Sequence, residues 1–228
     1  MKISILGTGI VGQTISHKLS DLGHEVYLGT RDSNETLNRL KPNPMTGKSF
    51  ADWLKENNKI KLTDLDKLPE ESELFINATS GDGTLPSLTT VGKNKLKGKV
   101  VLDIANPLDF SKGMPPTLSI CNTDSLGEQV QKEFPESKVV KSLNTMNAYL
   151  MVNPSIVAGD HTVFMSGNDK EAKQVIVNLL SSFGWKESNI IDLGDISTAR
   201  GTEMLLPIWL RLWNTLGTPE FNFHIARK

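Results

Sequence analysis

Short apolar runs rich in β-formers recur along the chain at 2–6, 25–29, 59–62, 74–78, 100–104, 139–143, 162–165 and 189–193. Between them, stretches at 9–22, 50–57, 125–134, 170–183 and 198–216 repeat their apolar positions at helical spacing. Strand and helix alternating in this way predict an α/β domain built on a doubly wound, mostly parallel sheet. Most runs are apolar at both parities, as expected when helices cover both faces of a sheet. Val100-Val101-Leu102-Asp103-Ile104 is typical, with Asp103 the exception. Ser80-Gly81-Asp82-Gly83, Asn106-Pro107 and Asn144-Thr145 follow runs and read as loops at strand carboxyl ends, where such sheets bind ligands. Lys41 and its followers up to Gly47 read as a flexible insertion.

Composition narrows the class. Charged residues make up 22% with a net charge of −1, which excludes a basic nucleic-acid face and an acidic disordered tail. A single cysteine, Cys121, and the lack of Cys/His pairs at zinc spacing point to a reducing compartment and to no metal. The chain opens directly on a strand, so no secretory leader is expected and a cytoplasmic location follows. The most apolar late segment, 204–216, contains Pro207, Arg211 and Asn214 and is shorter than the roughly 20 residues of a membrane span.

The first run leads into Gly7-Thr8-Gly9-Ile10-Val11-Gly12, a G-x-G-x-x-G between a strand and a helix. In a Rossmann-type fold Gly7 permits the turn, Gly9 lets backbone amides approach a pyrophosphate, and Gly12 allows close packing of helix on strand. The pyrophosphate would rest on the helix amino terminus, which favours an anion. At the end of the second run, where NAD enzymes place an acid for the ribose hydroxyls, stand Thr30 and Arg31. A hydroxyl and a guanidinium suit the 2′-phosphate of NADP. Asp32 is the rival, since a small shift would aim it at the ribose and leave Arg31 a solvated charge. Further along, Ala78, Thr79, Asn106 and Pro107 end two strands where loops would pass along the cofactor. Asn144 and Thr145 end another and would flank the hydride site.

The acid–base supply is poor: no Tyr-x-x-x-Lys pair exists, and only Lys141 and His161 border crevice elements. This inventory suits hydride passing from ring to ring, to a flavin or deazaflavin, with little proton work for the protein. Two alternatives stay open: a carbonyl or imine reductase using Lys141 or His161, and a dinucleotide-binding sensor without turnover.

Taken together, "ILGTGIVG", "LGTRD", "DIANP", "KSLNT" and the tail "DLGDISTARGTEMLLPIWLRLW" resemble the NADPH-dependent reductases of the deazaflavin coenzyme F420. They are also similar to the oxidoreductase domain of STEAP-type metalloreductases. The resemblance spans nearly the whole chain. It implies a Rossmann-type sheet extended by C-terminal strands and a helical tail, with NADP(H) on one side of a cleft and a flavin-like small-molecule acceptor on the other. It places Thr8, Gly9, Ile10 and Val11 in the pyrophosphate loop and Thr30 and Arg31 at the 2′-phosphate. Some relatives carry a lysine four residues after that arginine, where this chain has Glu35. Residues 1–195 are expected to form the nucleotide domain and 196–228 a tail at the cleft or dimer interface, either separate or continuous with it. The tail reads as a core helix or as an interface that lids the cleft in a homodimer. Within it Arg200 and Glu203, at i, i+3, are spaced for a helical ion pair.

Overall fold

The eight apolar runs become the eight strands of one sheet in the computed structural model, which describes residues 1–39, 42–43 and 47–226. The strands are β1 (Lys2–Leu6), β2 (Glu25–Thr30), β3 (Lys61–Asp64), β4 (Leu74–Asn77), β5 (Val100–Asp103), β8 (Lys138–Ser142), β9 (Val163–Gly167) and β10 (Ile190–Asp192). A separate hairpin, β6 (Leu108–Asp109) with β7 (Thr117–Leu118), stands off the end of β5. Strand order is β3-β2-β1-β4-β5-β8-β9-β10. All neighbours are parallel except β8 and β9. The order reverses between β1 and β4, so the ligand crevice of a doubly wound sheet falls at their carboxyl ends.

Helices cover both faces: α1 (Ile10–Asp21), α2 (Ser33–Leu37), α3 (Phe50–Glu56), α4 (Gly81–Val91), α5 (Lys93–Leu96), α6 (Leu126–Glu133), α7 (Ala148–Val152), α8 (Lys170–Phe183), α9 (Ala199–Met204) and α10 (Leu206–Leu216). Because side chains alternate along a strand, apolar residues at both parities feed two cores. Ile3, Ile5, Leu74, Ile76 and Leu102 pack with Ile15, Leu19, Ile176 and Leu180 on one side. Phe75, Val101 and Val139 pack with Leu88, Val130 and Phe134 on the other.

Two expectations change. Ser80-Gly81-Asp82-Gly83 is not a loop but the start of α4: Ser80 is its N-cap, with Oγ accepting from Gly83 N. Two glycines and Pro86 hid a helix that its cap and its packing nonetheless hold. The single tail helix expected over 198–216 is two, broken ahead of Pro207, which sits in the first turn of α10 as a proline tolerates. The expected flexible segment 41–47 lies largely outside the described residues.

The tail is tied to the sheet domain by a third small core. Leu206, Trp209 and Leu210 pack on Leu108 and Leu118 of the hairpin and on Phe221 and Phe223. The last segment returns along the domain as a strap. Asn147 Nδ2 donates to Pro219 O at 2.6 Å, and Thr162 N donates to Phe223 O at 2.8 Å.

Candidate functional site

The turn after β1 is built as its glycines require. Gly7 has φ +107°, and a Cβ there would lie 2.7 Å from the carbonyl oxygen of Ala78. A Cβ on Gly12 would meet the Gly7 carbonyl oxygen at 1.9 Å, so α1 rests directly on the turn. Gly9 is the N-cap and supplies no side-chain acceptor, and α1 has no acidic residue in its first turn. By contrast α2, α3, α4, α6, α7 and α8 all carry side-chain N-caps. The leading amides around Ile10 and Val11 thus keep their donors and the positive end of the helix dipole for an anion.

Gly7, Thr8, Gly9, Thr30, Arg31, Ala78 and Thr79 line one open cavity of about 480 Å³ with Ser80, Asp82, Pro86 and Thr90. Arg39, which sequence reasoning passed over, joins them: its Nη1 lies 3.4 Å from Thr8 Oγ1. Asp32, the rival for the ribose, is occupied as the N-cap of α2, accepting from Glu35 N at 2.8 Å. The spacing of Asp32 and Glu35 was a legible capping signal. Thr30 is buried and its Oγ1 shares a hydrogen bond of 2.8 Å with Thr36 Oγ1. Asp64 binds Lys67 and Ser33 N, and these bonds, the Lys67 ammonium first, hold its carboxyl down at about 2. Glu35 stands in α2, and Arg39 brings a cation to the cleft from just beyond that helix.

Ala78, Thr79 and Ser80 also border a second, inner pocket of about 210 Å³. Its walls are Val11, Met146 and Met151 with Leu108, Phe110, Leu206 and Trp209, and its polar edge is Asn106 and Asn144. The two asparagines are locked together, Asn144 Nδ2 to Asn106 Oδ1 and Asn106 Nδ2 to Asn144 O, each at 2.9 Å. Asn144 follows Leu143, a non-glycine residue at φ +63°, an uncommon backbone state of the kind that clusters at sites. No ionisable side chain lines this pocket among the described residues.

Pro107 and Thr145 are not among the lining residues. Thr145 is 1% exposed, and Pro107 anchors the hairpin, its carbonyl accepting from Ser119 N. Neither alternative proton donor reaches the cleft. His161 is buried between Pro154 O and Asn222 and stands edge-on to Trp185. Lys141 lies inside the protein, its Nζ 2.8 Å from both Asp103 Oδ2 and Glu203 Oε1 and also bonded to Ala105 O. Burial opposes its charge, but Asp103 and Glu203 outweigh burial and hold its pKa above the ordinary lysine value.

Register explains this arrangement. Asn77, Asp103 and Lys141 are neighbours across β4, β5 and β8, forming a buried polar row under the cleft floor. Asn77 Nδ2 donates to Asp103 Oδ1 at 2.7 Å, and Asn77 Oδ1 accepts from Thr79 Oγ1 at 2.7 Å. At the far end Glu203 accepts from the amides of Leu126 and Gly127, capping α6. The expected Arg200–Glu203 pair does not form; Arg200 instead makes a bidentate pair with Glu128. The hints in the chain were Asp103 and Lys141, each a charge within an apolar run. Among the described residues no cluster of three or more His, Cys, Asp or Glu is placed to hold a metal, and no helix is long and apolar enough to cross a membrane.

The profile of the family described as "NADP oxidoreductase coenzyme F420-dependent" matches residues 2–107. The F420-dependent NADP reductase of Methanocaldococcus jannaschii is 30% identical over 220 residues, covering 93% of this chain and 92% of that protein. The chain belongs to the F420-dependent NADP reductase family. As a member of that family it is an NADP-linked oxidoreductase. A provisionally named F420-dependent NADP reductase from Arthrobacter sp. FB24 is 56% identical over 100% of both chains, and its crystal structure matches with a TM-score of 0.94. Metalloreductase STEAP3 of Rattus norvegicus is 25% identical over 215 residues, which span 91% of this chain and 38% of STEAP3. The F420-dependent NADP reductase family thus accounts for the chain from first strand to tail.

Proposed function

We propose that this oxidoreductase transfers hydride between NADP(H) and a flavin or deazaflavin ring, with coenzyme F420 the first acceptor to test. The observation that carries the reading is the inner pocket. It continues from the nucleotide cleft through Ala78 and Thr79, is walled by apolar side chains, and offers no ionisable group among the described residues. NADPH, when bound, supplies two electrons and a proton as hydride from its nicotinamide C4, and water supplies the second proton that completes the reduced acceptor. The protein's work is then to bind, to orient and to keep the pocket dry.

On this reading the uncapped start of α1, with Gly7, Thr8, Gly9, Ile10, Val11 and Gly12, takes the pyrophosphate. Thr30 and Arg31, with Arg39, take the 2′-phosphate. Ala78 and Thr79 run beside the ribose of the nicotinamide half, and the Asn106–Asn144 pair borders the hydride site. The placement of Lys141 and His161 speaks against a carbonyl or imine reductase that draws its proton from either. We also propose that the tail pairs two copies, because Ile208, Trp213 and Leu216 of α10 stay exposed, with exposed Met114 lining the same surface pocket as Trp213.

The deciding experiment is anaerobic mixing of the protein and NADPH with F420, FMN, FAD and a set of small carbonyls and cyclic imines. Reduction of F420 or a flavin is expected. Turnover of the carbonyls or imines alone, or of nothing in the panel, overturns the proposal.

A further inference from the structure

Asp103 and Lys141 stand opposite each other on β5 and β8, fully buried, each a charge inside an apolar run. Burying a carboxylate and an ammonium costs desolvation that their attraction roughly repays at best, so stability alone does not call for the pair. Asp103 does more than neutralise Lys141. Its Oδ2 accepts from Lys141 Nζ, while its Oδ1 accepts from Ala105 N at 3.2 Å and from Asn77 Nδ2 at 2.7 Å. Asn77 donates its second amide hydrogen to Thr84 Oγ1 at 3.1 Å. A carboxylate only accepts, so Asp103 fixes which way the Asn77 amide points. Asn77 Oδ1 is thereby turned to the end of β4, where it accepts from Thr79 Oγ1 at 2.7 Å and from Thr79 N at 3.3 Å. One buried carboxylate thus holds two backbone turns, Ala78-Thr79 after β4 and Ala105 after β5.

Both turns lie where the nucleotide cleft meets the inner pocket. Ala78 and Thr79 line both cavities, and Ala105 lines the inner one. The first turn also rests on the turn after β1, since a Cβ on Gly7 would approach Ala78 O to 2.7 Å and Thr79 N to 3.2 Å. Lys141 completes the clamp by bonding Ala105 O. We propose that Asp103 is a positioning residue for the nicotinamide half of the dinucleotide: without touching it, the carboxylate sets the spacing of the Ala78-Thr79 and Ala105 backbones that border the inner pocket. The inference rests on the reading above, in which that pocket takes the nicotinamide and the ring acceptor. Where catalysis consists of holding two rings at near-attack distance, a misplacement of about 1 Å costs about a hundredfold in rate.

The test is calorimetric titration of full-length wild type and Asp103→Asn with NADP⁺ and with adenosine 2′,5′-bisphosphate, which lacks the nicotinamide half. Asp103→Asn keeps the side chain's shape but lets the Asn77 amide turn its NH₂ toward the Thr79 N–H. The variant is expected to bind the bisphosphate as wild type does and NADP⁺ about tenfold more weakly. Its kcat with F420 or a flavin is expected to fall about a hundredfold, with the KM for that acceptor little changed. Asn77→Ala leaves the Asp103–Lys141 pair in place and cuts only the link to Thr79; it carries the same expectation and decides the matter where Asp103→Asn does not fold. Ile176→Ala, in the apolar core under α8, costs stability and is expected to leave both affinities and kcat unchanged. Equal weakening of both ligands, an unchanged NADP⁺ affinity or kcat, or the same losses in Ile176→Ala overturn the proposal. A wild type that reduces no acceptor, while Asp103→Asn still separates the two ligands, defeats the hydride reading and leaves Asp103 its role.

Discussion

Arg39 illustrates how a specificity determinant can hide from a motif. The selector turn ends at Arg31, and the cation that faces Thr8 comes from eight residues further along, beyond the short helix α2. Asp32 and Glu35, which weaken an NADP reading when taken as a string, are a cap and its partner amide in the folded chain. If Arg31 and Arg39 both hold the 2′-phosphate, Arg39→Ala should weaken NADPH binding about tenfold, the scale of one charge-assisted hydrogen bond. NADH binding should not change, and the loss should shrink as salt is raised, because the guanidinium is exposed. Titration of wild type and variant with both nucleotides checks this; an equal loss for NADH removes Arg39 from the phosphate site.

The ion pairs of α9 separate a surface interaction from a buried one on a single short helix. Arg200 and Glu128 retain 37% and 17% side-chain exposure, whereas Lys141 and Glu203 retain 0% and 2%. Removing Arg200 should therefore cost little, because its pair is screened by solvent. Removing Glu203, which leaves Lys141 with Asp103 as its one counter-ion and leaves two α6 amides unpaired, should cost about 3–5 kcal/mol. Urea denaturation of Arg200→Ala, Glu203→Ala and the double variant should show near-additive effects, since the two residues do not pair. A coupling above about 1 kcal/mol would restore the helical pair expected from their spacing. Glu128 also gives a pH dependence. The Arg200 hydrogen bonds lower its pKa from 4.5 despite partial burial, which opposes the shift. Its contribution is therefore complete above about pH 4.5 and is lost as pH falls through the lower folded-state value. Thermal melts across this range should show a shallower acid loss in Glu128→Gln than in wild type; parallel curves would mean that the pair contributes nothing.

For the molecule as a whole, the cleft is made by parts far apart in the chain. The hairpin after β5, the tail helix α10 and the returning strap at 221–223 form one small core, and its inner surface is a wall of the pocket. The outer surface of α10 leaves Ile208, Trp213 and Leu216 at 51%, 40% and 54% exposure, an apolar face that a second copy would cover. Sedimentation at micromolar protein should give a dimer, and Ile208→Glu with Leu216→Glu should give a folded monomer. A monomeric wild type removes the homodimer proposal and leaves the pocket intact.

How far all this was legible differs by the range of the interaction. Apolar runs and helical repeats located all eight strands of the sheet and the helices α1, α3, α6 and α8, because burial on two faces writes itself into neighbouring residues. The Gly7–Gly12 turn was equally plain, since its φ angle and its close backbone approaches admit almost no other residue. The starts of α2 and α4 were written in their caps, and in α4 two glycines and a proline obscured the helix. What folding alone settled were the partners of polar groups: Lys141 with Asp103 and Glu203, Arg200 with Glu128, Arg39 beside Thr8, and Asn77 with Asp103. Each depends on strand register or on the packing of segments dozens of residues apart, and a charge or an amide carries no local mark of which distant group it will meet.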